Sequence, residues 1–102
     1  GLELVSGQAS VDAKGAIVQD TFEGEFRRSL ENLRKVLEGA GSDLKHVVQT
    51  RNYIRDASNG VRYNELYREY FSEPYPARTT ITNCLPPILH YEIECIAVVK
   101  RT

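Results

Sequence analysis

The spacing of apolar residues along the chain predicts two helices separated by short strands. In the first helix, apolar side chains recur every three or four positions, at Phe22, Phe26, Leu30, Leu33 and Leu37. Asp20 is a suitable N-cap for this helix, with Glu23 three residues further on, and two glycines end it after Glu38. The second helix has its apolar positions at Tyr63, Leu66, Tyr67, Tyr70 and Phe71. Pro74 and Pro76 then force the chain into extended structure.

Five segments rich in β-branched, aromatic or alternating apolar residues are predicted to be strands. They lie at residues 2–6, 16–19, 47–54, 78–85 and 90–100. The first two form a hairpin around a turn at residues 12–15, and Pro86 and Pro87 lie in the turn between the last two. The order β-β-α-β-α-β-β predicts a single α+β domain over residues 1–102, with two helices packed on a mixed, mostly antiparallel sheet.

The last predicted strand carries two carboxylates among apolar neighbours. Alternation places Tyr91, Ile93, Cys95, Ala97 and Val99 on one face, and Glu92, Glu94, Ile96 and Val98 on the other. A strand that is apolar on both sides favours a central place in the sheet, where a carboxylate needs a cation, a hydrogen-bond donor or water. Two interpretations of Glu92 and Glu94 stay open, namely an ion pair at a rim or interface and a functional pocket.

Arg78 follows the stiff segment Pro74-Tyr75-Pro76-Ala77, which can aim its side chain. A guanidinium can bind a carboxylate through two parallel hydrogen bonds. If the last two strands pair as a hairpin, Arg78 lies toward the open end of that pair, and its partner is undetermined. A solvent-facing arginine is the alternative interpretation.

Composition and charge narrow the classes of function. The chain is 41% hydrophobic and 26% charged, as in globular proteins, and its net charge of -1 offers no basic surface for nucleic acid. No segment approaches the roughly 20 apolar residues of a membrane span, and residues 1–8 lack the features of a secretory signal. We therefore expect a cytoplasmic protein in which Cys84 and Cys95 are reduced. His46 and His90 have no partner at metal-ligand spacing, so no metal site is predicted.

Five segments in uninterrupted order together resemble the Rid family, also called YjgF or reactive-intermediate deaminase proteins. They are Ser6-Gly7-Gln8, Ser29-Leu30-Glu31-Asn32-Leu33, Tyr63-Asn64-Glu65-Leu66-Tyr67 with Phe71, Pro76-Ala77-Arg78-Thr79-Thr80, and Glu92-Ile93-Glu94-Cys95-Ile96-Ala97. One of these segments alone would be a weak match, whereas five with compatible spacing are specific. The resemblance implies a chorismate-mutase-like α+β fold, a homotrimer and clefts between the subunits.

The same resemblance implies a binding site for small imino or enamine acids. It assigns Arg78 to the carboxylate of the substrate and Glu92 to the attacking water. It also places Gly7, Asn64 and Thr80 in the pocket.

The sequence departs from the family pattern at two places. Many deaminase members have a cysteine where this chain has Thr80, so the resemblance carries over no thiol-dependent role. The family also usually has an additional N-terminal strand with a pocket tyrosine before the segment that begins at Leu2, whereas this sequence starts at Gly1.

The sequence therefore predicts an enzyme that hydrolyses 2-imino and enamine acids, such as 2-aminoacrylate-like intermediates, to 2-keto acids and ammonia. Such imines already hydrolyse in water, so positioning of the carboxylate and of a water is enough, and no metal or organic cofactor is expected. A pathway deaminase for an enamine of the 2-aminomuconate type is an alternative, because Thr80 and the segment Cys84-Leu85-Pro86-Pro87 could reshape the pocket. A non-catalytic ligand-binding trimer, or an RNA-directed one, is the alternative from another class.

Overall fold

A computed structural model describes residues 1–100, which form four strands and two helices. In chain order the elements are β1 (Leu2–Ala9), α1 (Phe22–Gly39), β2 (Val47–Ile54), α2 (Gly60–Tyr70), β3 (Ala77–Thr82) and β4 (Tyr91–Val98), with 3-10 turns at Leu44–His46 and Ala57–Asn59. The strands make one sheet in the order β1-β4-β2-β3. β4 pairs antiparallel with β1 and β2, and β3 pairs parallel with β2. The predicted fold of two helices on a mixed, mostly antiparallel sheet is confirmed.

One predicted strand is wrong, and the hairpin considered for the last two strands is not found. Residues 16–19 form no strand in the described part of the chain, where Val11 and Ile17 make one isolated bridge. The Asp12 carboxylate accepts hydrogen bonds from the backbone N–H groups of Lys14 and Ala16. These two groups are therefore bonded within the turn and not to a neighbouring strand. The last two strands form no hairpin, because α2 connects β2 to β3 as a parallel βαβ unit and leaves β4 between β1 and β2. The predicted central place of β4 is confirmed.

The N-terminus of α1 is capped one residue later than the sequence pattern predicts. The Thr21 hydroxyl, instead of Asp20, accepts a helix N–H, at 3.1 Å. Glu25, instead of Glu23, reaches back to the backbone N–H of Asp20 at 3.1 Å. The fully buried carboxylate of Glu25 also accepts the backbone N–H of His90 at 2.8 Å and lies 2.7 Å from its Nδ1. Glu25 thus ties the start of α1 to the start of β4.

Both helices pack on one face of the sheet, and no described element covers the other face. The core contains apolar side chains from α1, α2 and the helix-facing positions of the sheet, including Phe26, Leu30, Leu33, Leu66, Ile54, Tyr91, Ile93 and Ala97. The uncovered face, which we call the bare face, carries Leu2 and Leu4, which are 63% and 72% exposed. Large exposed apolar groups on one face favour contact with another chain.

Candidate active site

Arg78 lies at the outer edge of the sheet and is held by α2. Strand register pairs it with Thr50, which faces the helices. Its guanidinium carbon lies 4.6 Å from the ring centroid of Tyr67 and 5.2 Å from that of Tyr63, and its Nη1 donates to Oδ1 of Asn64 at 3.0 Å. Aromatic faces attract a cation, so the side chain is exposed and yet held on two sides. Because arginine carries five N–H donors, donors remain for a ligand carboxylate.

The second helix also orients Thr80. The Thr80 Oγ1 lies 2.8 Å from the hydroxyl of Tyr63, and either oxygen can be the donor. Burial raises the pKa of Tyr63, which keeps this phenol neutral. Three of the predicted site residues, Arg78, Asn64 and Thr80, therefore meet between β3 and α2. With Tyr63 and Tyr67 they form what we call the arginine cluster.

A buried chain of polar contacts lies behind the arginine cluster. The Tyr67 hydroxyl lies 2.7 Å from Thr50 Oγ1, which also accepts from Asn52 Nδ2 at 3.1 Å. Asn52 Nδ2 also donates to the carbonyl of Thr79 at 3.3 Å, and its Oδ1 accepts from the Tyr91 hydroxyl at 2.5 Å. Thr50 and Asn52 have no exposed surface. Hydrogen bonding of these groups to one another offsets the desolvation of each.

Gly7 and Glu92 form a second group, which we call the glutamate cluster, on the bare face. The register of β1 shifts between Val5 and Gln8, and this irregularity sets the backbone of Gly7 against the Glu92 side chain. A Cβ added at Gly7 would lie 1.8 Å from Glu92 Oε1, so this approach requires glycine. Burial raises the pKa of Glu92, and the nearby negative charge of Glu94 raises it further by a smaller amount.

The arginine cluster and the glutamate cluster lie on opposite faces of the sheet within one chain. Thr50 is the β2 partner of Arg78, and Tyr53 is the β2 partner of Glu92. Arg78 and Glu92 are therefore three positions apart along the sheet and two strands apart across it, so their Cα atoms lie about 14 Å from each other. A single chain does not bring the two clusters together around one small substrate.

The two interpretations of the β4 carboxylates are separated by their contacts. Glu94 Oε1 lies 3.4 Å from Arg51 Nη1 and accepts from the Tyr53 hydroxyl at 2.7 Å. Glu94 and Arg51 line a groove of about 420 Å³ on the bare face, together with apolar side chains of β1 and β4. Within residues 1–100, no ion pair involves Glu92. Glu94 is thus the ion-paired carboxylate of the two, whereas Glu92 has no ion-pair partner among these residues.

The sequence pattern predicts Tyr63 and Tyr67 as core positions of the second helix, in preference to a platform for stacking bases. Both are 3% exposed, so the core assignment is correct, but their ring faces also bind Arg78. Their spacing of four residues, on the same helix as Asn64, was the available indication of this second role. Thr50 and Asn52 were missed, although polar residues that face a helix from a central strand indicate a buried network.

Two negative findings apply to the described residues. In residues 1–100, no group of three or more His, Cys, Asp or Glu side chains is arranged to bind a metal ion. No helix in this range combines the length and the hydrophobicity of a bilayer span. Cys84 and Cys95 are free thiols, and burial raises the pKa of Cys95 to about 11.

Comparisons with known proteins agree with this fold. A family model described as Endoribonuclease L-PSP matches residues 1–99. A RutC family protein of Pyrococcus horikoshii is 38% identical over 96 residues, which cover 92% of this chain and 76% of that protein. The 2-iminobutanoate/2-iminopropanoate deaminase of Salmonella typhimurium is 33% identical over 99 residues, which cover 93% of this chain and 77% of the enzyme.

A solved crystal structure has the same fold. The structure of YyfA from Yersinia pestis, described as a protein of unknown function of the conserved Rid family, superposes with a TM-score of 0.88 at 33% identity. The superposition covers 97% of this chain and 81% of that one. Two helices on a four-stranded mixed sheet thus define a YjgF-like α+β protein. The chain belongs to the Rid family.

Proposed function

We propose that this chain is a subunit of a deaminase that hydrolyses 2-imino and enamine acids, such as 2-aminoacrylate-like intermediates, to 2-keto acids and ammonia. The observation that carries the proposal is the arginine cluster. It holds an exposed guanidinium against Asn64 and two tyrosine rings and leaves N–H donors for a carboxylate. The 33% identity to the Salmonella typhimurium enzyme, which is named for this reaction, supports the same substrate class.

The reaction needs little more than two placed groups. A 2-imino acid has a carboxylate beside the electrophilic carbon of its C=N bond. Arg78 would bind the carboxylate. Glu92 would accept a proton from a water whose oxygen bonds to that carbon, as the electron pair of the C=N π bond moves to the nitrogen and the nitrogen takes up a proton. In the resulting carbinolamine the nitrogen takes up a second proton, from Glu92, and leaves as ammonia as the C–N bond breaks, while the hydroxyl group loses its proton and becomes the C=O of the keto acid. The raised pKa of Glu92 makes it a stronger base than an ordinary glutamate.

A homotrimer would set the arginine cluster of one subunit against the glutamate cluster of the next. The separation of the two clusters on opposite faces of one chain supports a site made by two chains. The exposed leucines of the bare face and the edge strand β3, whose six residues are all exposed, provide surface that a second chain can cover. The number three comes from the resemblance to the Rid family. The cytoplasmic location stays a prediction.

An enamine of the 2-aminomuconate type is the alternative substrate within the same chemistry. The loop after β3 has an unusual backbone, with φ of 59° at Asn83 and 79° at Leu85. This loop follows the strand that carries Arg78 and Thr80, so its conformation bears on the shape of a pocket there. Comparing ammonia release from 2-iminobutanoate and from an aminomuconate enamine separates the two substrates.

An RNA-directed function is a second candidate, because the matching family model is described as an endoribonuclease. The net charge of -1 argues against it, since binding to phosphates rests on clustered Lys and Arg. Tight retention on RNA that weakens steeply with salt would reverse our order of preference. Binding of a keto acid without catalysis would instead indicate the non-catalytic ligand-binding trimer.

Hydrolysis of 2-iminobutanoate, generated in situ by an amino-acid oxidase, tests the proposal directly. The wild type should accelerate the release of ammonia and 2-oxobutanoate above the uncatalysed rate. Arg78→Ala should remove the acceleration, whereas Arg68→Ala, which changes an exposed arginine of α2, should retain it. A wild type that does not exceed the uncatalysed rate would refute the deaminase proposal.

A further inference from the structure

We infer that Tyr67, held by Thr50, is a positioning residue that fixes the Arg78 guanidinium for carboxylate binding. This inference rests on the proposed function, in which Arg78 binds the carboxylate of the substrate. It concerns a side chain that does not itself contact substrate. Tyr67 acts through the orientation of Arg78.

Arg78 needs such support because of its place in the sheet. All six residues of β3 are exposed, so the neighbouring residues of the strand do not enclose the Arg78 side chain. The hydrogen bond to Asn64 holds one nitrogen and leaves the plane of the guanidinium free to turn about it. The ring of Tyr67, at 4.6 Å, is the nearer of the two aromatic faces and restricts that plane. An arginine that is oriented before binding loses less freedom when a carboxylate arrives.

Tyr67 is itself fixed from behind. Its hydroxyl lies 2.7 Å from Thr50 Oγ1, and both residues are buried. Asn52 donates to the same threonine oxygen at 3.1 Å, which orients the hydroxyl that meets Tyr67. Burial raises the pKa of Tyr67 to about 12, so the phenol is neutral, and Arg78 is attracted to the ring face. A phenylalanine would bury the same ring, so the hydroxyl contributes chiefly to the angle at which that ring is held.

Tyr67→Phe keeps the ring and removes the bond to Thr50. Losing this buried hydrogen bond should weaken carboxylate binding by about two- to tenfold. Tyr70→Phe is the matched control, because it makes the same change on the same helix and its hydroxyl bonds to Arg27 at 3.3 Å. Thr50→Ser keeps the hydroxyl that meets Tyr67, whereas Thr50→Val removes it.

The experiment combines calorimetric titration with 2-oxobutanoate and hydrolysis of 2-iminobutanoate, both normalised to folded protein by circular dichroism. Tyr67→Phe and Thr50→Val should raise Kd for 2-oxobutanoate and lower kcat/KM by a similar factor, with Thr50→Ser and Tyr70→Phe close to the wild type. In an Arg78→Ala background, Tyr67→Phe should have no further effect, because the group on which it acts is gone.

The outcomes separate this inference from the proposed function. Equal affinities in Tyr67→Phe and Tyr70→Phe, or a Tyr67 effect that persists in Arg78→Ala, would overturn the positioning role and leave the deaminase proposal standing. Arg78-dependent binding of 2-oxobutanoate that weakens in Tyr67→Phe, without hydrolysis by the wild type, would support the positioning role and overturn the deaminase. A wild type that neither binds 2-oxobutanoate nor hydrolyses 2-iminobutanoate would overturn both.

Discussion

Replacing Gly7 by alanine should displace the Glu92 carboxylate while leaving the fold almost unchanged. The added Cβ would lie 1.8 Å from Oε1, 2.9 Å from Cδ and 3.3 Å from Cγ of Glu92. Carbon and oxygen atoms in contact lie about 3.5 Å apart, so the carboxylate oxygen must move by roughly 1.5 Å or more. The atoms that clash belong to the far end of a flexible side chain that is only partly buried, so the movement is easy.

Two different magnitudes follow from this geometry. A side chain pushed into a less favoured rotamer costs about 0.5–1.5 kcal/mol, so the free energy of unfolding should fall by about 1 kcal/mol at most. Displacement of a reacting group by about 1 Å lowers catalysis by roughly a hundredfold, so kcat/KM should fall by about ten- to a hundredfold. Hydrolysis of 2-iminobutanoate and thermal unfolding, measured on the same preparation, compare the two effects.

The control is Gly39→Ala, whose added Cβ meets nothing within 4 Å at the end of α1. It should leave kcat/KM unchanged and raise stability by up to about 1 kcal/mol, as expected for alanine at a helical position. In a Glu92→Ala background, Gly7→Ala should lower kcat/KM little further. Full activity of Gly7→Ala, or additive losses in the double variant, would show that Gly7 does not act by making room for Glu92.

Three further predictions follow. Arg78→Lys keeps the charge and loses the planar fork of the guanidinium, so kcat/KM should fall by roughly ten- to a hundredfold, or about 1.5–3 kcal/mol. The melting temperature should stay unchanged. A lower melting temperature with intact kcat/KM would indicate a structural ion pair instead. In the folded protein the pKa of Glu92 is raised above its ordinary value of 4.5. The protonated side chain therefore adds to the free energy of unfolding at pH below 4.5, and this contribution is lost as the pH rises through the raised pKa. Glu92→Gln should flatten this part of the pH profile in urea unfolding and remove the acid limb of kcat/KM, and an unchanged profile would contradict the assignment. Light scattering after size exclusion should give the mass of three chains, and a stable monomer at micromolar concentration would contradict a site made by two subunits.

The helices and the central strand could be predicted because the spacing of apolar residues along the chain matches the spacing of buried positions in each element. The five apolar positions that predict α1 are all buried on one side of the helix, at Phe22, Phe26, Leu30, Leu33 and Leu37. In β4, buried residues alternate with half-buried ones as far as Ala97, which is the alternation that the sequence displays. The N-cap was missed by one residue, because Asp20 and Thr21 are both residue types that can accept a helix N–H, and only the folded chain shows that Thr21 does so.

The pairing of β3 could not be read from its residues. All six are exposed, so the strand shows no alternation of burial and its sequence carries no information about which neighbour it joins. What decides its place is the connection through α2, together with contacts that the chain forms only when folded. Among these, the Asn52 side chain donates to the carbonyl of Thr79 at 3.3 Å and links β2 to the backbone of β3.

The relation between Arg78 and Glu92 depends on this register more than on either residue. A slip of β3 by one position would turn Arg78 to the bare face, the face on which Glu92 lies, and would move Arg78 away from Tyr67 and Asn64. The buried network of Thr50, Asn52 and the two tyrosines Tyr67 and Tyr91 therefore has two effects at once. It binds the backbone of β3 in the observed register, and it supports the ring on which the guanidinium lies. Both effects require polar groups in a core that apolar residues could fill, so the network favours the position of Arg78 on the helix-covered face. In the proposed site, Glu92 of a neighbouring chain would meet Arg78 there.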